Sequence, residues 1–256
     1  MDKPAFLIEY DTAKLQRRAK NDGYFTKLNR LYSPIPAVIC GSCGNVCCRA
    51  CPDFYLLEYL NVWRFIRYEL KDESIESEIV ARSVRWAFLS FFDPDVYCPF
   101  LFDGRCVIYE ARPMNCRVWA LEDENYYAKK SARAAGNAEK QQEFFAARGL
   151  ETWKPIREFI LPKCGEIQVE GGGAPLDEKT IVDLDNSVGF LHRGLIAPED
   201  MRRINFLTHF PGHILLKKIG PERYDRTRIA VLKEYKENGT ENLLNEIISS
   251  FEGKLP

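Results

Sequence analysis

Five of the chain's nine cysteines fall within the stretch "CGSCGNVCCRACP", at Cys40, Cys43, Cys47, Cys48 and Cys51. Gaps of two or three residues let a loop wrap round a metal so that several thiolates converge, and Gly41 and Gly44 permit the positive φ angles such loops need. Bacterial ferredoxin loops read C-x2-C-x2-C-x3-C-P. Here Cys40, Cys43, Cys47 and Cys51 give C-x2-C-x3-C-x3-C-P, one residue longer in the middle gap. A second group, Cys98, Cys106 and Cys116, lies in "CPFLFDGRCVIYEARPMNCR". The eight thiols suffice for two four-coordinate centres, or for one centre and a separate reactive group. Cys164, isolated after Lys163, reads as a bystander.

This donor set is soft. All-thiolate coordination suits structural zinc and iron-sulfur clusters alike. The chain's three histidines, His192, His209 and His213, lie far downstream, and Pro211 and Gly212 inside His209-x3-His213 argue against the continuous helix an i,i+4 ligand pair needs. Adjacent Cys47 and Cys48 favour an iron-sulfur cluster, [4Fe-4S], because neighbours in sequence rarely serve one small tetrahedral ion; zinc is the alternative.

Composition narrows the setting. With 36 basic against 37 acidic residues the net charge is −1, which gives no general attraction to nucleic acid or anionic lipid. At 256 residues the chain can bury a core without cross-links. The opening "MDKPAFLIEYDTAKLQRR" lacks a basic n-region followed by an apolar h-region, and no run approaches the roughly 18 to 20 apolar residues of a membrane span. The expectation is a cytoplasmic protein with neither membrane nor nucleic acid as partner, whose thiols stay reduced rather than forming a disulfide knot.

The elements that must position these thiols read as a mainly α fold with a small β-hairpin and an irregular cysteine-rich metal-binding core. Residues 1–37 form a helical lead-in that ends at "SPIP". Residues 38–121 form the cysteine-cluster domain. In it, a helix runs from Pro52 to Leu70 with proline at the first position, and a second lies near Ile75 to Phe91 with Ser74 as cap. A hairpin turn follows at Asp103-Gly104, with Cys98 and Cys106 one on each arm. Residues 122–256 are mostly helical: an exposed stretch over 122–150 broken near Gly136-Asn137, a flexible joint at 165–176 round Gly171 to Gly173, and helices from Pro198, Pro221 and Thr240. The loop and hairpin then fold together round the metal. Arg112 and Arg117 stand beside it as cofactor-binding groups that offset thiolate charge. If the cluster is catalytic, one iron or an uncommitted thiol such as Cys48 is expected to face a pocket between the hairpin and the Gly171 loop.

"CGSCGNVCC", followed fifty residues later by the second cysteine segment, resembles the YkgJ-type cysteine-cluster family, the CxxCxxCC zinc- or iron-chelating domain. The resemblance covers residues 38–120 and implies metal ligation by Cys40, Cys43, Cys47, Cys48, Cys98, Cys106 and Cys116. The chain departs from the pattern in one extra residue after Cys43 and in the added Cys51. Flagellin lysine N-methylases have a similar cysteine layout, which implies, by analogy only, an iron-sulfur protein that uses S-adenosylmethionine for methyl transfer. No radical-SAM CxxxCxxC triad and no Rossmann glycine loop accompanies it. Two functions follow: an iron-sulfur-dependent modification or redox enzyme, or a non-enzymatic zinc module or metal storage and delivery protein with a protein or peptide partner.

Overall fold

The computed structural model describes residues 11–39, 46–119, 121–158, 168–169, 175–196 and 207–255. Among these residues, apolar positions at helical spacing build ten α-helices, with three two-stranded antiparallel ladders between them. The expected lead-in is two helices, α1 (Thr12–Asn21) and α2 (Tyr24–Tyr32). Gly23, at φ +71°, turns the chain between them, a conformation costly for any residue with a Cβ. After it β1 (Val38–Ile39) pairs with Gln168–Val169.

Pro52 does not begin a helix. A 3-10 turn (Val46–Arg49) leads into β2 (Asp53–Tyr55), which pairs with Leu207–His209. Only then does α3 (Leu56–Phe65) start, closing in a π-turn (Ile66–Leu70) at Lys71, φ +54°. α3 is the centre of the molecule: Leu56, Leu57, Tyr59, Leu60 and Val62 are all buried, so its apolar surface extends round the cylinder. α4 (Glu73–Leu89) is capped by Asp72 rather than Ser74; the Asp72 carboxylate accepts from Ser74 N at 2.9 Å and Ile75 N at 3.0 Å.

The hairpin forms where expected, as β3 (Leu101–Phe102) and β4 (Arg105–Cys106). Asp103 and Gly104 both have positive φ, which suits a two-residue turn between right-twisted strands. A short α5 (Met114–Val118) follows, then α6 (Glu124–Ala146), which is continuous through Gly136. Gly136 has nothing within 4 Å of a notional Cβ, so its cost is the modest one of glycine in an exposed helix and does not break it. The strand β5 (Gln168–Val169) and α7 (Glu178–Leu195) come next.

The helix expected from Pro198 begins outside the described residues, and its end, Leu207–His209, is strand β6. α8 (Phe210–Ile219) starts immediately after. His209 is its N-cap: Nδ1 accepts from Gly212 N at 2.8 Å, so the proton of the neutral ring sits on Nε2. Pro211 is harmless within the first turn, and a Cβ at Gly212 would strike the Thr208 hydroxyl. α9 (Pro221–Asn238) ends at Gly239 as expected. α10 (Asn242–Ser249) starts two residues beyond Thr240, its first N–H groups held by Glu234 of α9 at 2.8 and 2.9 Å. The apolar core is continuous from Ala19 to Leu255. No helix among the described residues is long and apolar enough to cross a membrane.

All three histidines lie against aromatic rings: His192 on Tyr55, His209 on Trp86 and His213 on Tyr59. Burial, the largest cause in each case, lowers His192 to about 3 and His213 to about 4. The unfolded chain therefore takes up protons first as pH falls below about 6.5, and stability is lost from there down to about pH 4. Each of these two buried rings contributes a slope of about 1.4 kcal/mol per pH unit. Glu58, whose carboxyl is raised by burial, opposes this slope only near its own titration. Urea midpoints measured from pH 7 to pH 4 should fall steeply, and His213→Leu should flatten the slope by about one proton.

Candidate metal centre

Six cysteines lie among the described residues: Cys47, Cys48, Cys51, Cys98, Cys106 and Cys116, none in a disulfide. They reach one region from four directions. Cys47 and Cys48 sit on the 3-10 turn, and Cys51 precedes β2. Cys98 lies in the loop after α4, Cys106 on β4 and Cys116 on α5. The loop carrying Cys98 is tied directly to the 3-10 turn, since Cys98 N donates to Cys48 O at 2.6 Å.

The thiols feel one another. Cys48 donates to Cys47, which with nearby Arg112 lowers Cys47 to about 7 against its partial burial. The same hydrogen bond, burial, and the neighbouring Cys98, Cys47 and Cys106 push Cys48 upward. Cys98 is raised first by its hydrogen bond with Cys51 and then by burial, with Cys51 and Cys47 acting as like charges. Part of Cys116 is exposed, yet its sulfur is desolvated; burial raises it most, and Cys98, Cys106 and Cys47 add to the shift. Like-charge raising of this kind means that the thiolates cannot all form together without a compensating cation.

No group of three or more His, Cys, Asp or Glu side chains among the described residues is placed to hold an ion. The structure therefore brings the two cysteine segments together without a defined coordination geometry. Cys40, Cys43 and Cys164, and Gly171 to Gly173 with the pocket expected beside them, lie outside the described residues. The donor type of the six present, soft sulfurs within electrostatic reach of one another and of Arg112, is the type a thiolate-bound metal uses.

The two expected arginines differ. Arg112 lies close enough to help lower Cys47 and to oppose in part the rise of Cys116; its guanidinium stacks 3.5 Å over the Tyr109 ring, with Nε donating to Tyr109 O at 3.0 Å. Arg117 turns away. Its Nε donates to Arg112 O at 2.7 Å and its Nη2 to Glu110 O, so it braces the Glu110–Arg112 turn.

Sequence reasoning missed Glu58. It is 2% exposed and accepts three hydrogen bonds: from Tyr55 N at 2.9 Å, from Met114 N at 2.6 Å and from the Tyr32 hydroxyl. Its carboxylate thus caps the first turn of α3 and the first turn of α5, the helix that carries Cys116. The available signal was Tyr-x-x-Glu ahead of an apolar run, together with a lone acid in "LLEYL".

A groove of about 360 Å³ opens beside Cys51, with Asp53, Trp86, Asn115, Trp119 and Lys130 in its walls. Asn115 Nδ2 donates to Asp53 O at 2.9 Å, and Trp86 Nε1 to Arg49 O at 3.3 Å. Asp53 has exposed surface but is crowded by the walls, and this desolvation raises its carboxyl.

No protein-family model, curated protein or solved structure matches this chain.

A Gln at position 58 offers one acceptor oxygen where three donors converge, so at least one donor meets an NH2 group. Glu58→Gln should cost roughly 2–4 kcal/mol, read as a lower denaturant midpoint at unchanged slope, whereas Glu69→Gln on the surface should leave the midpoint in place.

Proposed function

We propose that this protein is a cysteine-ligated metal protein of the YkgJ type, in which the 40–51 loop and the 98–116 segment share one centre, a [4Fe-4S] cluster. The observation that carries this reading is the link between the two segments: Cys51 hydrogen-bonds Cys98, Cys98 N donates to Cys48 O at 2.6 Å, and Cys47 contributes to the upward shift of both Cys98 and Cys116. The ligands would come from these residues with Cys106, Cys40 and Cys43. Eight thiols exceed the four that one cubane takes, which leaves a labile or reactive thiol.

When bound, a cluster of this kind supplies one-electron chemistry or an open iron for a substrate. The chain's own contribution is positional and electrostatic. Arg112 offsets thiolate charge, Glu58 holds the Cys116 helix, and the apolar burial of Cys51 and Cys98 keeps water from part of the site. The groove at Cys51 favours an iron-sulfur-dependent modification or redox enzyme over a closed structural zinc module, because a purely structural site needs no concave approach. S-adenosylmethionine enters this reading by analogy alone.

Metal content tests the shared centre. Cys106→Ser and Cys116→Ser should each lose metal as completely as Cys43→Ser; full retention in either hairpin-side variant would mean that the two segments do not share a site. Calorimetric titration with S-adenosylmethionine separates the two enzymatic versions, since absence of binding removes methyl transfer and leaves redox chemistry.

A further inference from the structure

We propose that the groove between α1, α2 and α3, away from the thiols, binds a sugar phosphate. Its mouth, about 520 Å³, is lined by Arg17, Lys20 and Arg64 on one side and Gly23, Phe25 and Thr26 on the other, with no acidic side chain among its lining residues. Asn29 and Arg64 also line a second cavity of about 340 Å³, which contains Asn61, Glu110 and Arg117. The two cavities adjoin at these residues, a mouth with cationic side chains beside a mixed polar inner end that also holds Glu69.

Three features of the mouth suit a phosphate dianion. Arg17 and Lys20 are exposed and carry no ion pair among the described residues. Arg64 is held in place by Glu69, Nη1 to Oε1 at 2.5 Å, and by the Phe25 ring under its guanidinium, yet its buried Nε has no hydrogen-bond partner among the described residues. α2 starts at Gly23, which has no side chain to cap the first N–H groups, so the positive end of that helix faces the same wall. Among the described residues, two unpaired cationic side chains, the free Nε–H of Arg64 and open amides together favour a doubly charged oxyanion over a single carboxylate.

The inner end specifies the rest of the ligand. Asn61 is 4% exposed, and its Oδ1 is buried with no hydrogen-bond partner among the described residues. A buried acceptor left unmatched is costly, and a donor from a ligand would satisfy it. Asn61 and Arg64 are three residues apart on α3, so their side chains share a face at about 5–6 Å. That separation places a hydrogen-bond donor one sugar ring away from the phosphate. A ribose phosphate, alone or as part of a mononucleotide, presents a hydroxyl at that distance; inorganic phosphate does not.

The test is isothermal titration of the full chain with ribose 5-phosphate, ribose, inorganic phosphate and citrate. Ribose 5-phosphate should bind at least tenfold tighter than inorganic phosphate, and ribose should give no heat. The surface double variant Arg17→Ala/Lys20→Ala, checked for unchanged helical circular dichroism, should weaken ribose 5-phosphate at least tenfold. Asn61→Leu should reduce it to the affinity of inorganic phosphate. Absence of ribose 5-phosphate binding at millimolar concentration, undiminished binding in the double variant, or citrate binding as tightly as the sugar phosphate would each overturn the assignment. The outcome is independent of the thiols, because the same titration of Cys116→Ser protein should give the same result.

Discussion

The Glu58 carboxylate is the constraint on which the arrangement of the cysteine region depends. A carboxylate buried in an apolar helix is unfavourable unless its oxygens are saturated. Here the donors come from three elements: Tyr32 at the end of α2, Tyr55 at the junction of β2 and α3, and Met114 at the start of α5. Satisfying the charge therefore fixes where α5 lies against α3, and α5 carries Cys116. The neighbouring Arg117 lies 4.7 Å over the Tyr32 ring, so both faces of this junction are tied.

A second constraint delivers the other thiols. β2 is only three residues long, but its pairing with β6 anchors the chain directly after Cys51, and the Cys98 N–H bonded to Cys48 O brings in the loop after α4. The hairpin places Cys106 within electrostatic reach of Cys48 and Cys116. Two hydrogen-bonded thiol pairs, Cys47 with Cys48 and Cys51 with Cys98, lie within electrostatic reach of Cys106 and Cys116, so ionising several of them builds up negative charge that must be balanced. Arg112 supplies one positive charge. In the proposed reading a thiolate-bound metal would supply the remainder, since the desolvated thiols cannot ionise together without added positive charge.

Local signals read well from the sequence and nonlocal ones did not. Asp103-Gly104 demands positive φ at both positions and gave its hairpin; Pro221 and Gly239 bracket α9 because each has a single favourable place at a helix end. Pro52 has the same local credentials but opens a strand segment, since its neighbours pair with Leu207–His209, more than 150 residues away, a partner that no local pattern announces. The cysteines were legible as a set by type and spacing, and the structure adds the Cys51–Cys98 hydrogen bond and the nearness of Arg112 to Cys47 and Cys116. Glu58 was hidden inside an apolar helical run because helical periodicity registers an acid as an interruption, not as a hub. Arg117 sits beside Cys116 in sequence and feels its charge, yet its hydrogen bonds go to the Glu110 and Arg112 carbonyls, which no local pattern announces.

The central claim is an iron-sulfur centre built on thiols from both cysteine segments. Anaerobic purification followed by iron, zinc and acid-labile sulfide analysis, with a visible spectrum, tests it most directly. The account predicts a brown protein with a broad band near ~400 nm and iron and sulfide in equal amounts. A colourless protein with stoichiometric zinc, or one that takes up no iron on reconstitution while all nine cysteines titrate as thiols, would contradict it.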